Sequence, residues 1–547
     1  MAQTNVVATE FSLSSVMARQ NHRVSTLSPG EFNPRTRHFS TNHRKVKSDS
    51  GYVPFTIRGR KGNVTPPTEK GVISSKNPGA KILRRKDFPP DFKFGCSTSA
   101  CQTEGSGTEG GRGPSIVDGY IQDDIVGLDM AADSYHRYKE DVQLLKNMGA
   151  DTYRFSISWS RILPDGTVGG GINQEGINFY NNLIDELIKN GITPFVTLFH
   201  FDLPTGLQDK YSGFLNQQIV NDFKSYADLC FKTFGDRVKH WITVNEPQIF
   251  ALYLYKIGLK QPRSTEATTE ATDPFLVVHH LLLAHAEAAK LYKQSYQLTQ
   301  KGEIGISLVT VWYEPHENTK QDIDASERAL DFLVGWILQP MVYGDYPFIM
   351  KALVLDGLPT FTKEEKALVS GSYDFIGINY YTSRYATAIP FSTDNAYTNQ
   401  DQFQHASLTA DRNGVPIGEQ APGSDTIYVY PQGLRNTLVY LSKKFNNPKL
   451  YITENGYADK RDDTVPVDEA IQDPKRIQYI LRHLYAVNEA LKMGANVNGY
   501  FMWALMDSME MEQGYNARFG LHYTDYLDNL NRIPKKSAGW FKSWVKT

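Results

Sequence analysis

Leu450-Tyr-Ile-Thr-Glu-Asn-Gly456 places an apolar run directly before one carboxylate, Glu454, and a glycine that closes the turn. His240-Trp-Ile-Thr-Val-Asn-Glu-Pro247 repeats this arrangement, with Asn245 and Glu246 before a proline that ends the strand. Either motif alone is also typical of a strand whose last carboxylate caps the next helix. Two such strand ends in one chain indicate instead a scaffold that holds two carboxylates face to face.

The chain between and around these motifs alternates short apolar segments with longer amphipathic ones, which predicts parallel strands with helical crossovers. The eight predicted strands are Phe92–Gly95, Thr152–Ser158, Pro194–His200, His240–Asn245, Ile304–Val311, Tyr373–Tyr381, Leu450–Glu454 and Val497–Leu505. The predicted helices include 135–148, 176–190, 219–234, 274–296, 322–338, 433–446 and 474–493. The predicted fold class is therefore α/β, a single (β/α)8 TIM barrel with long loops over residues 85–547.

Glu246 and Glu454 are 208 residues apart (454 minus 246), and each is predicted at the carboxyl end of a strand. A parallel α/β barrel carries its chemistry at that end of the strands. Two convergent carboxylates are the minimum requirement for breaking a glycosidic bond.

The net charge of −2 is the sum of a basic segment and an acidic one. Residues 1–84 carry 14 Lys and Arg and 4 Asp and Glu. Residues 85–547 carry the other 44 Lys and Arg and the other 56 Asp and Glu. The first part is rich in Ser, Thr, Arg and Pro and has no long apolar period, so we predict a disordered basic extension. It resembles an organelle transit peptide, with the plastid as the favoured compartment, and a solvated tail on a cytoplasmic or nuclear protein is the alternative.

Other classes of protein have little support in the sequence. No apolar run of signal-peptide or membrane-spanning length occurs, and three cysteines are too few for a disulfide framework. A solvated or cleaved segment explains the basic extension better than nucleic-acid binding does. We therefore expect neither a nucleic-acid nor a membrane partner. His279, His280 and His285 fall in a long apolar helix without acidic or thiol ligands nearby, and we expect no metal and no cofactor.

Seven motifs, in order, resemble the plant β-glucosidases of glycoside hydrolase family 1 over essentially all of residues 85–547. They are Cys101-Gln-Thr-Glu-Gly105, Tyr153-Arg-Phe-Ser-Ile-Ser-Trp-Ser-Arg161, Leu198-Phe-His-Phe-Asp202, Thr243-Val-Asn-Glu-Pro247, Phe375-Ile-Gly-Ile-Asn-Tyr-Tyr-Thr382, Ile452-Thr-Glu-Asn-Gly456 and Trp503-Ala-Leu-Met-Asp507. Within the family, 84–89 and 171–180 look most like enzymes that act on glucosides of monoterpenoid indole alkaloids and iridoids, the strictosidine β-glucosidase type.

The resemblance implies a retaining mechanism, with Glu454 as nucleophile and Glu246 as acid and then base. It implies that Arg154 pairs with Glu454 and that Tyr381 donates a hydrogen bond to the same carboxylate. The substrate-binding residues that it implies are Gln102, His200, Asn245, Asn379, Trp503, Glu510, Met511 and Phe519. A homo-oligomer is a further expectation by analogy with the family.

The chain departs from the family pattern at several positions. Phe201 and Val117 stand where family members usually carry tryptophan, and Met511 replaces the second sugar-contacting tryptophan. The usual Ala-Pro-Gly-Arg is shortened to Gln261-Pro-Arg263. Methionine offers neither an indole N–H nor an indole face, so Met511 is expected to change the grip on the outer sugar hydroxyls.

These observations leave three hypotheses. The first is a β-glucosidase that releases the aglycone of a plant specialised-metabolite glucoside of alkaloid or iridoid type. The second is a transglucosidase that passes glucose from the same covalent intermediate to another acceptor. The third is a catalytically weak or lapsed paralogue that serves as a binding or scaffolding protein. The two glutamates and Arg154 favour activity.

Overall fold

The computed structural model of this chain describes residues 82–118, 130–254, 272–391, 403–511 and 513–547. Almost all of the basic extension predicted over residues 1–84 therefore lies outside the described residues. Within them, no helix is both long enough and apolar enough to cross a membrane.

Eight parallel strands close into a barrel, which confirms the fold class. They are β1 Lys93–Ser97, β2 Thr152–Ser156, β3 Thr193–Phe199, β4 His240–Asn245, β5 Glu303–Pro315, β6 Phe375–Ala388, β7 Leu450–Asn455 and β8 Val497–Trp503. Each strand pairs in parallel with the next along the chain, and β8 pairs with β1 to complete the ring. A closed parallel sheet has no free edge, so all eight carboxyl ends meet at one rim.

Eight longer helices follow the strands in turn and surround the barrel. They are α1 Ser134–Met148, α2 Gln174–Lys189, α3 Gln218–Phe234, α4 Asp273–Ser295, α5 Lys320–Leu330, α6 Pro431–Lys444, α7 Pro474–Lys492 and α8 Lys536–Trp544. Their apolar residues face the strands; in α3, for example, Phe223, Tyr226 and Phe231 are fully buried. This placement is that of an amphipathic helix packed on a sheet.

Shorter elements occupy the loops. The short helices are Arg85–Asp87, Ala100–Thr103, Trp159–Ile162, Val168–Gly170, Thr205–Tyr211, Gly213–Leu215, Pro247–Ile249, Phe250–Leu254, Gln297–Gln300, Asp331–Gly335, Trp336–Tyr343, Phe348–Val354, Leu355–Gly357, Lys363–Val369 and Val467–Ala470. The short strands are Ala406–Thr409, Asp411–Arg412, Val415–Pro416, Glu419–Gln420, Tyr428–Val429, Asp459–Lys460, Ala517–Arg518, His522–Asp525 and Asn531–Pro534.

Two predicted strands are longer than expected. β5 and β6 continue beyond the barrel rim and pair with each other as far as Pro315 and Ala386. β6 also pairs in antiparallel fashion with Ala406–Thr409, a short strand in the long connection between β6 and α6. The extensions carry polar and aromatic residues rather than an apolar run, so sequence periodicity gave no signal for them.

The helix predicted over 322–338 is interrupted. α5 ends at Leu330, a wider π turn covers Asp331–Gly335, and a second helix begins at Trp336. Pro340 lies inside that second helix and has no N–H to donate to the carbonyl of Trp336, which breaks the regular hydrogen-bond ladder.

Five large side chains fill the lower part of the barrel and form a floor beneath the rim. Phe195, Ile242, Phe375, Tyr451 and Phe501 come from five different strands and pack as one cluster. The rings of Phe195 and Phe501 meet edge to face with centroids 4.9 Å apart. Because this floor is filled, the polar groups of the barrel are concentrated at the carboxyl end of the strands.

Candidate active site

The carboxyl ends of β4 and β7 each direct two consecutive polar side chains to the barrel interior. In β7 the pairing register with β6 shifts between Ile452 and Glu454, as in a β-bulge. In β4 the register with β5 shifts before Asn245, and Glu246 adopts a left-handed conformation with φ of 43°. A regular strand would send alternate residues to opposite faces, so these irregularities aim both carboxylates into the site.

Glu454 lies against a buried cation. Arg154 at β2 is fully buried, and its Nη1 forms an ion pair with Glu454 Oε1. The hydroxyl of Tyr381, on β6, donates a hydrogen bond of 2.7 Å to Glu454 Oε2. Burial and the charge of Glu454 raise the pKa of Tyr381 well above its usual value, so Tyr381 remains a donor. Both oxygens of the carboxylate therefore have a donor, which fixes the orientation of the Glu454 side chain.

Glu246 has a different surrounding. The side-chain amide of Asn379, on β6, donates a hydrogen bond of 2.9 Å to Glu246 Oε1, and the backbone N–H of Glu246 donates to the carbonyl of Ser307. The amide is neutral, whereas the partner of Glu454 is a cation. Glu454 is thus paired directly with a cation, whereas Glu246 accepts a hydrogen bond from a neutral amide, and an acid and a nucleophile require different settings of this kind.

The orientation of the amides in this network follows from Arg154, because a guanidinium can only donate. Arg154 Nη2 lies 2.6 Å from Asn245 Oδ1, so that atom is the amide oxygen. Asn379 approaches the same oxygen at 3.0 Å and must present its Nδ2. Asn245 then directs its own Nδ2 toward His200 Nε2, at 3.2 Å, which places the His200 proton on Nδ1.

His200 is neutral in this setting. Burial, and then the charge of Arg154, lower the pKa of His200 well below its usual value. The His200 Nδ1 atom is buried and has no hydrogen-bond partner among the described residues. The ring lies nearly parallel to Trp503, with centroids 5.8 Å apart.

A second polar group is hydrogen-bonded to the indole of Trp503. Trp503 Nε1 donates a hydrogen bond of 3.1 Å to Glu510 Oε1, and Gln102 Nε2 donates to Glu510 Oε2 at 3.2 Å. The Gln102 Nε2 also donates to the carbonyl of Met509, and the Ser99 hydroxyl donates to Gln102 Oε1. Burial is the main cause that raises the pKa of Glu510 to about 8. A protonated Glu510 can donate as well as accept a hydrogen bond.

The structure thus brings most of the predicted residues together. One network contains Glu246, Glu454, Arg154, Tyr381, Asn245, Asn379 and His200; a second contains Gln102, Trp503 and Glu510. Phe519 joins through its ring, which packs edge to face on Tyr381 at 6.0 Å. Met511 follows Glu510 in the chain, is half-buried and packs against the core.

Three hydroxyl-bearing residues of these networks were not predicted from the sequence. Thr453 donates a hydrogen bond of 2.7 Å to Asn379 Oδ1, Thr197 accepts one from Arg154 Nε at 3.2 Å, and Ser99 orients Gln102. All three lie within three residues of a predicted site residue: Thr453 of Glu454, Thr197 of His200 and Ser99 of Gln102. Proximity in sequence was their only signal, because a threonine or serine in a buried strand is also ordinary core material.

One departure from the family pattern, Phe201, lies directly against a predicted site residue. Phe201 is buried with φ of 77°, and its ring meets His200 edge to face at 4.9 Å. Val117 is buried in a segment whose neighbour Ser115 forms an isolated β-bridge with Pro204. The shortened Gln261-Pro-Arg263 lies outside the described residues. The hydrogen bonds among the predicted site residues are therefore formed although Phe201 stands where the family usually has tryptophan.

The barrel with two carboxylates at its rim defines a class of sugar-cleaving hydrolase, and comparison with known proteins identifies the family. The model of "Glycosyl hydrolase family 1" matches residues 84–547. The chain is 51% identical over 483 residues to furostanol glycoside 26-O-β-glucosidase of Hellenia speciosa, covering 86% of this chain and 85% of that protein. This chain belongs to glycosyl hydrolase family 1 and is a glycoside hydrolase.

Two further comparisons agree. Raucaffricine-O-β-D-glucosidase of Rauvolfia serpentina is 47% identical over 508 residues, with coverage of 86% of this chain and 93% of that protein. The crystal structure of the rice Os3BGlu6 β-glucosidase superposes with a TM-score of 0.82 and 44% identity, and covers 85% of this chain and 100% of that one.

The raised pKa of Glu510 predicts a pH dependence of stability. Between the ordinary carboxyl pKa and about 8 the folded protein holds a proton that the unfolded chain releases, so stability falls as pH rises through that window. Glu510→Gln removes this contribution. Between about pH 5 and about pH 9 the Tm of the parent protein is expected to fall by ~2–5 °C more than the Tm of the variant.

The comparison uses the slope of Tm with pH, so any pH-independent cost of the altered contact with Gln102 cancels. Glu489→Gln, at a surface glutamate paired with Arg435 and with 54% of its side chain exposed, is the matched control. Parallel slopes for the parent and Glu510→Gln would show that Glu510 does not titrate in this window.

Proposed function

We propose that this protein is a retaining β-glucosidase that hydrolyses the O-glucosidic bond of plant specialised-metabolite glucosides through a covalent glucosyl-enzyme. The observation that carries the proposal is the unequal pair of buried glutamates at the ends of β4 and β7. Glu454 is ion-paired with Arg154 and bonded to Tyr381, whereas Glu246 receives a neutral amide. Family membership supports the same reaction.

In the first step Glu454 acts as the nucleophile. Its carboxylate oxygen forms a bond to the anomeric carbon while the bond between that carbon and the aglycone oxygen breaks. Glu246 gives its proton to the departing oxygen, which leaves as a neutral alcohol or phenol. The contacts of Arg154 and Tyr381 hold the Glu454 carboxylate in a fixed orientation before the attack.

In the second step Glu246 acts as a base. It takes a proton from water, whose oxygen bonds to the anomeric carbon as the ester to Glu454 breaks. Two inversions give glucose with its original β configuration. The charge on Glu454 disappears in the first step and returns in the second, so the same glutamate can serve as acid and then as base.

The remaining residues are suited to hold the sugar. Gln102, His200, Asn245 and Glu510 offer hydroxyl-binding atoms around Trp503, whose indole supplies an apolar platform for the ring. Asn379 and Tyr381 lie next to the two glutamates, and Phe519 backs Tyr381. Met511 lies at the margin of this set, where no indole is available to hold an outer hydroxyl.

For the aglycone we propose an alkaloid or iridoid type. Support comes from the sequence segments 84–89 and 171–180 and from the 47% identity to a glucosidase named for raucaffricine. The 51% identity to a furostanol glycoside glucosidase makes a steroidal aglycone the competing assignment.

Substrates whose leaving groups differ in their need for a proton test the role of Glu246 as the acid. For Glu246→Gln we expect kcat/KM on an alkyl β-glucoside to fall by ~10²–10⁴-fold, because a poor leaving group needs the proton. On a dinitrophenyl β-glucoside, whose leaving group needs no proton, kcat/KM should change little. Equal losses on both substrates would contradict this role. Glu454→Gln is the matched comparison and should lose both activities.

The aglycone assignment is tested by kcat/KM on a panel of β-glucosides with monoterpenoid indole alkaloid, iridoid, furostanol and simple aryl aglycones. We expect the alkaloid and iridoid glucosides to be the best substrates. A preference for the furostanol glucoside would contradict this assignment and leave the β-glucosidase proposal intact. No glucose from any substrate, with Glu454 present, would contradict the proposed function itself.

A further inference from the structure

We infer that Thr453, the residue before the nucleophile, is a positioning residue for the acid Glu246. It acts through Asn379: its hydroxyl fixes the Asn379 amide so that an N–H always points at Glu246 Oε1. The inference rests on the proposed function and assigns a role on β7 that couples the nucleophile strand to the acid on β4.

The hydrogen bonds of Asn379 form a chain with one direction. Arg154 can only donate, so it sets the oxygen of Asn245, and that oxygen sets Nδ2 of Asn379. Asn379 Oδ1 is then an acceptor, and the Thr453 hydroxyl donates to it at 2.7 Å. This series of hydrogen bonds therefore has Arg154 as the donor at one end and Thr453 as the donor at the other.

The environment of Thr453 leaves its hydroxyl little freedom. Thr453 is fully buried, and its backbone carbonyl accepts a hydrogen bond of 2.6 Å from Ser97 on β1. Its side chain lies against Gly377 on β6, where an added Cβ would stand 2.8 Å from the Thr453 Oγ1. The β-bulge before Glu454 allows Thr453 and the nucleophile to face the interior together.

A hydrogen bond donated to a carboxylate favours its ionised form. If Asn379 rotates or moves away, Glu246 loses this donor and keeps its proton to higher pH. The charged or titratable groups of the same hydrogen-bond network are Glu454, Arg154, His200 and Tyr381, from β7, β2, the residue after β3, and β6; Glu510, after β8, acts on Tyr381 through its charge. Among the described residues none of these groups is hydrogen-bonded to the Thr453 hydroxyl, so their charges remain when it is removed.

The experiment measures kcat/KM for an aryl β-glucoside as a function of pH in Thr453→Val. Valine keeps the shape of threonine and leaves Asn379 Oδ1 buried without its donor. Loss of the Glu246 proton causes the fall of kcat/KM at alkaline pH. We expect this alkaline limb of the profile to shift to higher pH by ~0.5–1 pH unit. Thr453→Ser keeps the hydroxyl and should restore the parent profile.

Thr310→Val is the matched control. Thr310 is a buried threonine on β5 whose hydroxyl donates to the backbone carbonyl of Asn379 at 2.9 Å, so its removal disturbs the strand but not the amide. Its alkaline limb should match the parent. A purely structural role for Thr453 would lower activity at all pH values with an unmoved limb, and that result would overturn the inference.

Folding and function are separated within the same experiment. Thermal unfolding checks each variant, and Thr453→Ala, which removes the same hydroxyl, is measured in the same way if the valine variant does not fold. A parent protein that releases no glucose contradicts the proposed function. A parent protein that is active, with hydroxyl-deleting variants whose limb does not move, contradicts only the role of Thr453.

Discussion

A buried guanidinium organises the site. Arg154 is fully buried at the barrel rim, where an unpaired charge would be severely destabilising. Its nitrogens donate to Glu454 on β7, Asn245 on β4 and Thr197 on β3. Because every one of these groups must accept, one cation fixes the orientation of the Glu454 carboxylate and of the amides. His200 and Glu246 then take their hydrogen-bonding roles from those amides.

The barrel and the two catalytic strands could be predicted because their signals are local and repeat eight times. Apolar runs alternate with amphipathic helices, and each glutamate follows its run directly. The long pairing of β5 with β6 beyond the rim could not be predicted, since cross-strand partners stabilise it rather than an apolar period. The π turn at Asp331–Gly335 was missed because no proline lies within it to mark a break in the helix.

Most of the site could be named from its resemblance to a family, but its geometry could not. Alternation along a strand predicts that Thr453 and Glu454 face opposite sides, yet the β-bulge turns both inward. The left-handed conformation of Glu246 has the same effect on β4. Such irregularities depend on how neighbouring strands pair, so the position of Thr453 in the acid network emerges only when the strands are assembled.

The most direct test of the account is the site of covalent attachment during turnover. The protein would be treated with a 2-deoxy-2-fluoroglucosyl substrate that has a good leaving group, then digested and examined by mass spectrometry. The account predicts one fluoroglucosyl group, attached to Glu454, and inactivation that keeps pace with its formation. Hydrolysis of ordinary β-glucosides without any adduct, or an adduct on a different residue, would contradict it.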